Sequence, residues 1–131
     1  MDITKYFNDK DFDRFTNLTC KMIEDGLESE SDMLVSISEK TTVEEFEALK
    51  VLVSLADSKK RYIYNLTPDN LKMSSNTYMA MKNFRKLLDG LKNKGYFDEY
   101  KFSTGVKVVE KIVIDSTVYN AVMCYIKEFG A

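Results

Sequence analysis

Ser74–Gly95, SSNTYMAMKNFRKLLDGLKNKG, is the stretch on whose reading the fold depends. Tyr78, Met81, Phe84, Leu88 and Leu91 recur at three- and four-residue spacing, with Ala80 and Leu87 at the margin. That spacing predicts one long amphipathic helix with a single buried face. Ser74 or Ser75 is its expected N-cap, and Gly95 supplies the left-handed residue that ends it. The opposite side gathers Ser75, Met79, Lys82, Lys86 and Asn93, with Asn76 and Asn83 flanking.

Downstream, Tyr96–Phe102 reads as a strand and Ser103-Thr104-Gly105 as a turn. Val106–Ile114, VKVVEKIVI, is rich in β-branched residues and is the strongest β segment of the chain. Asp115 or Ser116 then caps a last helix with Val118, Val122, Tyr125, Ile126 and Phe129 on its apolar side.

Upstream, Thr67-Pro68 opens a short helix to about Lys72, because a proline at the first helical position forfeits no hydrogen bond. Arg61–Asn65 reads as extended, and Asp57–Lys60 as a break. Thr42 followed by Glu45 has capping-box spacing. The helix it opens carries Phe46, Leu49, Leu52, Val53 and Ala56 on one face. Met33–Ser38, MLVSIS, alternates as a strand would, behind an acidic linker at Glu28–Asp32. The first helix starts at Asn8 or Asp9, shows Phe12, Phe15, Leu18, Met22 and Ile23, and ends at Gly26. Its Asp9, Asp11 and Asp13 imitate the start of a calcium loop, but Arg14 and Cys20 stand where that loop needs glycine and glutamate. Cys20 and Cys124 lie in apolar-periodic stretches and read as core residues.

At 131 residues the chain reads as one domain, 1–131, with a helical extension at 1–32 and a core at 42–131. No apolar run approaches the roughly 18 residues of a membrane span, and Met1–Lys10 lacks a signal-peptide pattern, so no membrane partner is expected and a cytoplasmic location is. The net charge of −2 conceals an asymmetry. Met1–Ala56 carries six basic and thirteen acidic residues, whereas Asp57–Ala131 carries thirteen basic and eight acidic ones. A basic second half behind an acidic first half points to a charged partner. The chain has no histidine and no phosphate-binding glycine motif, so neither an enzyme nor a cofactor is expected. Its wealth of Lys, Asn, Asp, Tyr and Ile suggests an AT-rich bacterial or phage genome.

The order of elements resembles winged helix-turn-helix proteins. Leu71–Tyr78 (LKMSSNTY) is similar to that family's turn and recognition-helix start. Leu87–Phe97 (LLDGLKNKGYF) is similar to the recognition-helix end and first wing strand of multiple-antibiotic-resistance-type repressors. The resemblance covers about Thr42–Ala131 and implies an α+β, mainly α fold, with an N-terminal helical extension and a C-terminal helix. One departure is the span from Thr77 to Gly95, longer than the family's by roughly a turn and a half. Either the recognition helix is unusually long or one anchor is displaced.

On this reading the partner is double-stranded DNA and the protein is a homodimer, paired through the first or the last helix. Ser75, Asn76, Thr77, Met79, Lys82, Asn83 and Lys86 would face the groove, and Lys101, Ser103, Thr104 and Lys107 would sit at the wing. Lysine reads guanine edges and asparagine reads adenine, while serine serves bases or phosphate. The role would be transcriptional repression, or site binding for plasmid or phage partition or replication. The rival is a winged module that binds a protein partner, or an acidic DNA mimic, which the pI of about 5.3 favours.

Overall fold

The computed structural model describes residues 9–73, 76–103 and 109–130. It is an α+β architecture, mainly helical. Three helices come first: α1 (Asp9–Glu24), α2 (Glu28–Lys40) and α3 (Val43–Leu55). Then follow strand β1 (Tyr62–Leu66), a 3₁₀ turn at Pro68–Leu71 and helix α4 (Thr77–Asn93). Strands β2 (Phe97–Phe102) and β3 (Val109–Ile114) and helix α5 (Ser116–Phe129) complete it. The antiparallel sheet has the order β1-β3-β2, so the last strand lies between the first two.

α2 corrects the sequence reading at two places. Glu28–Lys40 is one helix, neither an acidic linker at 28–32 nor a strand at 33–38, and it crosses the expected boundary at residue 32. The alternation of MLVSIS misled because half of the buried face is polar. Ser31, Leu34, Ile37 and Ser38 are buried at helical spacing. Each buried hydroxyl has an acceptor: Ser31 donates to the Thr19 carbonyl of α1 at 3.1 Å, and Ser38 to the Val35 carbonyl at 2.7 Å. Satisfied serines are tolerated inside and allow close approach, and they hide the apolar period.

In α1 the buried residues are Phe15 and Met22, with Leu18 partly covered. Phe12 and Ile23, expected on that face, are 48% and 46% exposed. Cys20, expected in the core, is exposed, and Cys124 is partly buried. α5 packs against α2 and α3. Its Val118, Ala121 and Val122 are fully buried, whereas Ile126 and Phe129 are partly exposed. Tyr125 stands edge-on to Phe46 at 4.9 Å and stacks on Phe129 at 4.5 Å. Arg14 ties α1 to the end of α5, with its guanidinium 4.4 Å from the Phe129 ring and donating to the Glu128 carbonyl at 2.6 Å.

The capping box of α3 forms as its spacing predicts: Glu45 N–H donates to the Thr42 hydroxyl at 3.1 Å, and Thr42 N–H to the Glu45 carboxylate at 2.9 Å. The Pro68 segment is shorter than expected, a single 3₁₀ turn closed by Asn70, whose side-chain oxygen accepts from Thr67 N–H at 2.8 Å.

Candidate nucleic-acid interface

α4 is continuous over 17 residues, about 25 Å of helix. The span Thr77–Asn93 is thus helical throughout. Its cap is Asn76, whose side-chain oxygen accepts from Met79 N–H at 3.1 Å; Ser74 and Ser75, the expected caps, lie outside the described residues. At the other end Gly95 adopts φ 84°, its N–H bonds the Lys92 carbonyl at 2.9 Å, and Tyr96 N–H reaches the Leu91 carbonyl. This paired closure requires the left-handed residue that glycine supplies.

The burial of α4 follows the helical wheel. Ala80, Phe84, Leu88 and Leu91 are buried, and Met81 and Leu87 are partly covered. Asn76, Met79, Lys82, Asn83, Lys86 and Asn93 are exposed. Met79, Lys82, Asn83, Lys86 and Asn93 share one stripe about 100° wide. Among the described residues, no carboxylate pairs with Lys82 or Lys86. Beside the stripe, Arg85 pairs with Asp89 at 3.7 Å and lies 4.7 Å from the Phe102 ring. The Asn76 oxygen is committed to its capping bond, whereas Asn83 and Asn93 present exposed carboxamides on the stripe.

Of the expected wing residues, Lys101 is exposed on β2 and pairs with Glu110 at 3.6 Å. Ser103 is partly buried at the end of β2. Ser75, Thr104, Lys107 and the side chain of Thr77 lie outside the described residues.

The helix is held at its back by a polar lock. The Lys94 ammonium donates to Glu45 at 2.8 Å, joining α4 to the cap of α3. Burial pushes the Glu45 carboxyl up. The hydrogen bonds from Lys94 and the Thr42 N–H outweigh that and hold its pKa below the usual carboxylate value. Gly90 makes the approach possible, since a Cβ there would collide with the Glu45 carboxylate. Tyr96, buried beside this charge, has a hydroxyl with no partner among the described residues. Its burial and the Glu45 charge push its pKa up to about 12.

Among the described residues, an open groove runs between α3 and α4, bordered by the Pro68–Leu71 turn. Val51, Leu55, Leu71 and Met81 form its apolar floor; Glu44 and Glu47 stand on the α3 side, Lys82 and Lys86 on the α4 side. The sequence reading missed this groove, because it depends on how α3 and α4 pack against each other. It also passed over the outward residues of the sheet, Tyr62, Tyr64 and Lys111, although the alternation in Tyr62-Ile63-Tyr64 announces them.

No family model, curated protein or solved structure matches this chain. Among the described residues, no helix is long and apolar enough to cross a membrane.

Proposed function

We propose that the chain is a winged helix-turn-helix protein that binds double-stranded DNA. In this reading α3, β1, the Pro68 turn, α4, β2 and β3 are the DNA-binding unit, and α1, α2 and α5 are the helical layer behind it. The order helix, strand, turn, helix, hairpin and the sheet order β1-β3-β2 support it. The observation that carries it is the exposed stripe of α4, where Lys82 and Lys86 stand clear of carboxylates beside Asn83. A helix of this width fits a major groove, and these side chains suit phosphate and base edges. Met79 would contact thymine methyl groups. The protein acts as a regulator that occupies its site, in repression or in partition or replication control. Paired half-sites call for a two-fold protein, and α1, with Phe12 and Ile23 exposed, is the face for that pairing.

The test is binding to bulk duplex DNA at two salt concentrations. Affinity should fall steeply with salt, because each neutralised phosphate releases counterions. Absence of binding at low salt, or a flat salt response, removes this reading. The second reading, a protein-binding module, is favoured by the α3–α4 groove, whose apolar floor suits an amphipathic helix. It gains ground if duplex binding is absent.

A further inference from the structure

The sheet has an inner and an outer face, and its register assigns each residue. Ile63 pairs with Ile112, and both are buried on the inner face. Tyr62 pairs with Val113 and Tyr64 with Lys111 on the opposite face; Glu99 and Lys101 of β2 extend those two rows. Tyr64 is 53% exposed, and the Tyr62 and Tyr64 rings lie 4.6 Å apart. Both sit on an edge strand, with no further strand beside it among the described residues. Residues i and i+2 of a strand are about 6.6 Å apart. The rings themselves touch, inclined at 52° to each other, and form one aromatic surface against which a base can stack.

Cations frame the rings. Lys60 stands 5.9 Å from the Tyr62 ring centre and Lys111 5.9 Å from that of Tyr64. The neighbouring acids are already engaged. Asp98 meets Arg61 at 3.8 Å, Glu99 meets Lys111 at 2.9 Å, and Glu110 meets Lys101 at 3.6 Å. Asp57 accepts the backbone N–H groups of Lys59 and Lys60 at 2.9 and 2.8 Å. Lys59 and Lys60 thus have no carboxylate partner among the described residues, at the end of the platform nearest Tyr62. Because the inner face packs on the helices, this surface is separate from the α4 stripe.

We propose that the outer face of the sheet is a stacking platform for single-stranded nucleic acid, with base stacking on the Tyr62–Tyr64 pair and the backbone passing Lys59 and Lys60. Aromatic stacking tolerates any base and contributes about 1–3 kcal/mol per base. Most local cations are paired, so stacking carries the affinity. Its salt dependence should be shallower than that of duplex binding.

The experiment uses the full chain and fluorescence anisotropy with labelled oligo(dT) and oligo(rU) of about 15 nucleotides, near the upper site size of such platforms. Wild type should bind at least one of them; a preference assigns the natural strand as DNA or RNA. Tyr62→Ala with Tyr64→Ala should weaken binding tenfold or more and leave duplex affinity unchanged. Tyr62→Phe with Tyr64→Phe keeps the rings and should retain binding. The chain has no tryptophan, so tyrosine emission is visible. Oligonucleotide should quench it in the wild type and much less in the Phe pair. This second readout stands even if the Ala pair folds poorly. Failure to bind either oligonucleotide at low salt overturns the proposal. So does a folded Ala pair that binds like wild type, a Phe pair that does not bind, or binding without quenching.

Discussion

Glu45 serves two elements at once. One oxygen closes the cap of α3 and the other receives the Lys94 ammonium of α4. Its depressed pKa means that its contribution is present above the ordinary carboxylate value of 4.5 and lost as pH falls through the folded value. Glu45→Gln should therefore cost about 2 kcal/mol at neutral pH, the range for hydrogen bonds to charged groups. The difference from wild type should shrink below pH 4.5 when thermal unfolding is followed against pH. Tyr96 is the opposite case. Its hydroxyl is buried without a partner among the described residues, so Tyr96→Phe should stabilise the protein by about 1 kcal/mol in denaturant titration. A buried phenol with a raised pKa contributes fully below the ordinary value of 10 and loses that contribution as pH rises toward about 12. Wild type should accordingly lose stability in that alkaline window, and Tyr96→Phe should lose less of it.

Among the elements, α4 was legible because nothing polar interrupts its buried face. Phe84, Leu88 and Leu91 mark the period without ambiguity, and the lysines and asparagines fall opposite. α2 was illegible because Ser31 and Ser38 occupy core positions and use hydroxyl hydrogen bonds in place of apolar area. The position of Gly90 was also silent in the sequence, since its reason lies on another helix. A glycine inside a helix ordinarily costs about 1 kcal/mol relative to alanine. Here Gly90→Ala should bring no gain, because the new methyl would expel the Glu45 carboxylate from Lys94 and Thr42. In a Glu45→Ala background the same substitution should stabilise by about 1 kcal/mol. A double-mutant cycle by chemical unfolding reads the sign change directly. On the solvent side, Lys82→Ala with Lys86→Ala should weaken duplex DNA binding about tenfold or more and flatten its salt slope, with unfolding unchanged. Equal binding by that variant would move the duplex site off this face of α4.

The whole molecule is two layers sharing one core, and the helical layer is closed by its last element. Composition revealed the acidic first half, α1–α3, and the basic second half, β1 to α5. It could not reveal that α5 returns to α2, because nothing local to Ser116–Phe129 records which distant face it covers. The Arg14 contact with Phe129 and Glu128 joins residues more than a hundred positions apart. During synthesis the chain from α1 through β3 emerges before α5 exists. The face of α2 that packs on α5 in the finished protein lacks that cover until then. Long-range closure of this kind slows folding and leaves apolar surface open to other chains. The nascent protein should therefore depend on chaperones until Phe129 clears the ribosome, and completing α5 is the step that commits it to its folded form.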